Sequence, residues 1–219
     1  MGKRPPTLAM KRTAAKQKGR PQYGAKRALI VKAVGPALQR HGLSGTTIEA
    51  IANVAGLDRA TVYYYFPDKS SIFREAIHDG LAELTAGLEE VAASGTTAEV
   101  KIAASMRAVM SAYEKHYPQL YIFFTNGDRS SIIDANLNSE IVASGQRFEE
   151  FVETIIREGN AQGIFQTPLP PKVFAKAIAG MLNGTARWFA PGGTLSADQV
   201  ADGMSRMILN GVLLPGRPT

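Results

Sequence analysis

Apolar residues recur at helical rather than alternating spacing along almost the whole chain. Ile72, Ala76, Ile77, Leu81, Leu84, Leu88 and Val91 fall on one side of a long helix starting near Ser70, with Glu75, Asp79, Glu83 and Glu90 on the other. Thr96 and Glu99 have capping-box spacing before a second run, Ile102, Met106, Val109, Met110 and Tyr113, which Pro118 ends. A short apolar piece, Leu120–Phe124, leads to a turn at Asn126-Gly127-Asp128. A helix over Asn136–Gln162 follows, with Ile141, Phe148, Val152, Ile155 and Ile156 on one face and Gly163 closing it. Beyond the loop Thr167–Pro171 the pattern predicts a helix over Lys172–Phe189. Ser196 and Gln199 then cap a last one, Ala197–Asn210. With no repeat and no strand pattern, the expected fold is all-α, with about nine helices.

Signals are densest between Thr46 and Lys69. Thr46 and Glu49 suggest a capping box, and Ile48, Ile51 and Ala52 line one face of a short helix. Gly56 supplies the positive φ for a tight reversal, and Asp58 is a suitable N-cap for a second short helix, Arg59 to about Tyr65. Val62 and Phe66 should face inward, leaving Arg59, Thr61, Tyr63 and Tyr64 outward. Pro67 stops this helix, and Asp68 caps the next with Lys69 in its first turn, a natural seat for a phosphate. Two short helices joined by a glycine turn are the layout of a helix-turn-helix.

The segment resembles the DNA-binding domain of the TetR family of transcriptional regulators. Ile30, Ala33, Gly42, Thr46-Thr47, Ile51-Ala52, Ala55-Gly56, Thr61-Val62-Tyr63, Tyr65-Phe66, Lys69 and Ile72 carry the likeness in order and spacing. The resemblance implies that Arg59, Ala60 and Tyr63 approach base edges, with Thr61 on the same surface, and that Thr47, Tyr64, Tyr65 and Lys69 hold phosphates. It implies a DNA-binding domain over residues 23–84 and a ligand-binding and dimerisation domain over 85–219. Gly35-Pro36 departs from the family's unbroken first helix and predicts a kink or local widening near Val31–Lys32.

Charge adds a third region. The chain is net +6, yet its first 27 residues carry nine Lys or Arg and no acid, so the remainder is net acidic. Residues 1–22 are therefore expected to form a disordered basic arm, either a solvated tail or a phosphate-following arm. No apolar core follows these basic residues, as a secretory signal would need, and no run approaches a bilayer-spanning length. The absence of cysteine excludes disulfides and zinc–thiolate sites, and the chain fits the cytoplasm.

Ala175, Ala179, Gly180, Gly184 and Ala186 are small at near-helical spacing, and Met204, Met207, Ile208 and Leu213 give the last helix an apolar face. These helices either pack on their own core or form a dimer surface; the family resemblance implies a homodimer paired through its two C-terminal helices. Met181–Pro191, Gly192–Ser196 and Ile155–Phe165 are similar to TetR regulators that respond to acyl-CoA thioesters. Arg187 beside the single Trp188 either meets a phosphate or carboxylate or forms a surface ion pair. Met106, Met110, Phe123, Phe124, Phe148 and Phe151 either line a pocket or fill a core.

His41, His78 and His116 are far apart, and Glu149, Glu150 and Glu153 read as a solvated helix face, so neither a catalytic group nor a metal or cofactor site is expected. Two functions follow. One is a repressor that binds a palindromic operator as a dimer and is released by a small molecule; the other is a ligand-independent architectural DNA binder.

Overall fold

In a computed structural model, residues 21–125 and 132–212 are described. Residues 1–20 of the basic arm, the turn at Asn126-Gly127-Asp128 and Leu213 lie outside the described residues. Among those described, nine α-helices occur: α1 Pro21–Gly45, α2 Ile48–Ala55, α3 Arg59–Tyr65, α4 Lys69–Ala93, α5 Ala98–Lys115, α6 Gln119–Thr125, α7 Ala135–Ala161, α8 Pro171–Gly184 and α9 Ala197–Asn210. The fold is all-α: a helix-turn-helix unit at the N-terminus and a larger helical domain after it.

Helix α1 buries Ile30, Ala33, Val34, Ala37 and Leu38, the stripe that a helix against a core requires. Val31 and Lys32, where a kink or local widening is expected, keep helical dihedrals, and the break in α1 falls at Gly42 (φ 63°). Pro36 and Lys32 both lie on the exposed face, so the Lys32 carbonyl that loses its partner turns toward water. Gly35 is buried, because a Cβ there would stand 3.1 Å from the Gln119 side-chain amide and 3.4 Å from the Pro118 ring. The glycine lets α1 press directly on the start of α6.

Local capping explains most helix starts. Asp58, Asp68 and Asp134 each accept a backbone N–H three residues on, opening α3, α4 and α7. Ser196 and Gln199 form the complete capping box expected for α9. Two expected caps shift by one residue. Thr47, not Thr46, caps α2, accepting from the Ala50 N–H at 3.1 Å. Thr46 is fully buried and donates to the Gly42 carbonyl at 2.6 Å, closing the end of α1. Thr97, not Thr96, precedes α5 and makes no side-chain cap bond; Thr96 pairs with Ser94 at 2.8 Å.

Helix α8 ends at Gly184, short of the expected Phe189. The buried Thr185 hydroxyl bonds to Leu182 O at 2.6 Å and to the Tyr121 hydroxyl at 2.8 Å, and the chain tightens into a 3₁₀ turn, Thr185–Arg187.

One contiguous core runs from Ile30 to Val212 through both units. Helix α4 joins them, packing on α1, α5 and α7.

Candidate nucleic-acid interface and effector cleft

Helix α3 has seven residues, too few to hold itself in water, so its ends are fastened by side chains. At its start, both Asp58 carboxylate oxygens are used, accepting the Thr61 N–H and the Thr61 hydroxyl at 2.7 Å each. These bonds hold the Asp58 carboxyl below its ordinary pKa. Arg59 is exposed, 3.2 Å from the Tyr63 hydroxyl and stacked 5.4 Å from that ring's centre. Ala60 is exposed beside it.

The remaining tyrosines pack on one another. Tyr65 is only 9 % exposed, with its ring 4.8 Å from Tyr23 of α1 and 5.0 Å from Tyr64. Tyr64 meets Tyr23 edge-on at 6.2 Å and stays half-buried, as does Tyr63. Thr47 is exposed at the start of α2, its oxygen already accepting the Ala50 N–H. Lys69 opens α4 with its ammonium 5.5 Å from the Phe73 ring centre, and partial burial lowers its pKa. Arg59, Ala60, Tyr63, Thr47 and Lys69 thus stand at the solvent side or at helix starts, Thr61 is engaged with its own cap, and Tyr65 is mostly interior.

Sequence reasoning missed two members of this unit. Tyr23 completes the aromatic cluster. Arg27, counted above with the basic arm, instead reaches from α1 to Glu75 of α4 and to the Tyr65 carbonyl, with its guanidinium over the Phe66 ring. Those partners are distant in sequence, so no local pattern announces them.

A cleft of about 330 Å³ opens between α4 and α7. Leu84, Leu88 and Ala92 line one wall, Ser144 and Phe151 the other, and Glu89, Arg147 and Glu150 also border it. Arg147 is exposed and makes no ion pair among the described residues. Leu84 and Ser144 also border a smaller inner space of about 50 Å³ that extends to Phe124, Phe148, Tyr113 and Asn183. There the buried Tyr113 hydroxyl donates to Asn183 Oδ1 at 2.7 Å, and desolvation pushes the phenol's pKa up.

Phe124, Phe148 and Phe151 therefore border this space. Met106, Met110 and Phe123 are wholly buried core residues that line neither cavity. Arg187 is exposed and Trp188 is 58 % exposed, and neither borders the cleft. Helices α4 and α7 are tied at their other ends: Asp134 N–H donates to Ser70 Oγ at 2.9 Å, and Arg74 meets Asp134 at 3.2 Å and Glu140 at 3.0 Å.

The model of tetR-family bacterial regulatory proteins matches residues 37–76, and that of the tetracyclin repressor-like C-terminal domain matches residues 95–212. The chain belongs to the TetR family. It is a helix-turn-helix DNA-binding transcription regulator and not an enzyme. The HTH-type transcriptional repressor KstR2 of Mycolicibacterium smegmatis is 26 % identical over 171 residues, spanning 78 % of this chain and 82 % of that protein. KstR2 of Mycobacterium tuberculosis, a ketosteroid transcriptional regulator, superposes with a TM-score of 0.77 at 22 % identity, covering 86 % and 95 % of the two chains. AibR, solved with isovaleryl coenzyme A and operator DNA, superposes at 0.70 and 21 % identity, covering 85 % and 99 %. Among the described residues no helix is long and apolar enough to cross a membrane, and no three His, Asp or Glu side chains could hold a metal ion.

Proposed function

We propose that this TetR regulator is a cytoplasmic repressor that binds a palindromic operator as a homodimer and is released by an acyl-CoA thioester. In this reading Arg59, Ala60 and Tyr63 approach base edges, while Thr47, Tyr64 and Lys69 meet phosphates. The observation that carries it is the α4–α7 cleft. It lies along the helix whose first residue is Lys69, so whatever fills it acts on the DNA-binding end.

The volume bears on the ligand. At about 330 Å³ the cleft is at the lower end of small-molecule sites, which run from ~300 to 1,000 Å³. It suits a short or branched acyl group, with the nucleotide remaining outside, and Arg147 at its border is placed for an anionic group. That the KstR2 relatives are repressors, and that AibR was solved with an acyl-CoA and its operator, agrees with this reading.

Release follows from mechanics. Ser70 of α4 stands against Asp134 at the start of α7, and Leu84 shares the cleft with Ser144, so the two helices run side by side in the same direction. A ligand wedged at the open end, with the other end tied through Ser70 and Arg74, swings α4 about that tie and tilts the helix-turn-helix unit joined to its start. The ligand must prefer the swung state to shift the population.

The test is fluorescence anisotropy on DNA upstream of the protein's own gene and on shuffled DNA at two salt concentrations, with isovaleryl-CoA, a long-chain acyl-CoA or free CoA added. Sequence-dependent binding released by a thioester but not by free CoA is the expected result. Specific binding that ignores every thioester would discard the ligand. Equal binding to shuffled DNA with a steep salt slope would mark an architectural binder instead.

A further inference from the structure

Arg27 follows Lys26 in the N-terminal part of α1, where its charge invites assignment to phosphate binding. Its surroundings say otherwise. Nε donates to Glu75 Oε1 at 3.0 Å, Nη2 donates to the other Glu75 oxygen, and Nη1 donates to the Tyr65 carbonyl at 3.0 Å. The guanidinium carbon sits 4.1 Å from the centre of the Phe66 ring. All three nitrogens and one flat face are thus committed within the protein, in a side chain only about one-third exposed (34 %).

The Tyr65 carbonyl belongs to the last turn of α3, where carbonyls lack helical partners and a cation is favourable. Asp58 fastens the first turn of the same helix. Tyr64 and Tyr65 already set the C-terminal end of α3 against Tyr23 of α1, and Arg27 adds a hydrogen-bonded tie from the Tyr65 carbonyl to Glu75 of α4.

We propose that Arg27 is a positioning residue for DNA recognition. It fixes the C-terminal end of α3 to both α1 and α4, so that Arg59 and Tyr63 are presented at one angle, and it neutralises no phosphate. A planar fork is needed, because only that shape spans a carboxylate and a carbonyl while lying on a ring; lysine cannot replace it. This inference rests on the DNA-binding role of the helix-turn-helix and is independent of any effector.

The experiment uses the full chain and a duplex selected from random DNA by the wild-type protein. Arg27→Met, Arg27→Lys and, as a phosphate control, Lys69→Ala are compared by anisotropy over a salt series and by hydrogen–deuterium exchange without DNA. For both Arg27 variants the expectation is loss of affinity for the selected duplex of about tenfold, the scale of a lost charged hydrogen bond. Affinity for random DNA and the salt slope should stay unchanged, and the amides of residues 59–66 should exchange faster while those of α5 and α7 do not. Lys69→Ala should instead lower the salt slope by about one.

Restoration by Arg27→Lys, or a lowered slope with equal loss on both DNAs, would overturn the proposal in favour of a phosphate contact. Unchanged binding and exchange in Arg27→Met would also overturn it. If Arg27→Met unfolds, Glu75→Gln, which keeps the side chain's shape and one acceptor, must give the same pattern in weaker form. Wild-type behaviour of Glu75→Gln would refute the clamp.

Discussion

Arg59 owes its orientation to Tyr63, one turn along the same exposed face, which holds it by a hydrogen bond and by its ring. An arginine held this way is set up to grip the O6 and N7 of a guanine, a pair worth about 1–3 kcal/mol of discrimination. Arg59→Ala is therefore expected to abolish the preference for guanine at one position of each half-site, while binding to random DNA stays nearly unchanged. Selection from a randomised duplex with both proteins tests this; an unaltered preference would remove Arg59 from base reading. Asp58 makes a second prediction, with the sign set by its lowered pKa. Its cap stabilises the protein above the ordinary aspartate value, about 3.9, and is lost as pH falls through the lower folded value. Asp58→Asn does not titrate. The gap in thermal midpoint between it and the wild type should be present near neutrality and close only in strong acid. A gap that is constant with pH would mean that the carboxylate's charge contributes nothing to the cap.

At the scale of elements, what the sequence made legible is what acts within a few residues. Asp58, Asp68 and the Ser196–Gln199 pair bond three positions away, so their helix starts can be read directly. With two adjacent threonines, local chemistry could not choose the cap; burial of Thr46 against Gly42 decides it. Pro36 was misread for a similar reason, since its effect depends on which side of α1 faces water. The cleft was only partly legible: of the six expected apolar side chains Phe151 borders it and Phe124 and Phe148 border the inner space beside it, because its walls come from helices whose pairing no local pattern encodes. The tie between α4 and α7 is likewise tertiary and leads to a prediction. Its ion pairs are exposed and contribute little to stability singly, so Arg74→Met should fold and bind DNA almost as the wild type does. With the tie reduced to the Ser70–Asp134 bond, the wedge has a weaker fulcrum, and the acyl-CoA concentration that releases half the DNA should rise several-fold. Unchanged release would mean that the signal travels along α4 alone.

The whole molecule turns on whether two copies present their recognition helices together. Helix α8 buries Ala175, Ile178 and Leu182 on its own core, while Val173, Ala177, Gly180 and Gly184 form a stripe on the other side. Val173 is 48 % exposed, and a Cβ at Gly180 or Gly184 would meet nothing within 4 Å. On α9, Met204 and Ile208 pack inward, so among the described residues expected there only Met207, 68 % exposed, projects outward. The narrow stripe of small and apolar residues on α8, with Met207 exposed on α9, favours close approach of a second copy, consistent with a two-fold dimer. Because the space around Gly180 is open within one chain, Gly180→Glu should leave the helical content and melting of the isolated chain intact while burying a charge in the dimer. Sedimentation should then show a monomer. Operator affinity should fall on the order of 10²-fold or more, since two linked half-sites no longer act as one event. Met207→Glu provides the same test from α9. If both variants remain dimeric with full operator affinity, the pairing surface lies elsewhere; if they become monomeric and still bind one half-site, the recognition unit is complete in a single chain and the dimer supplies only its reach across the palindrome.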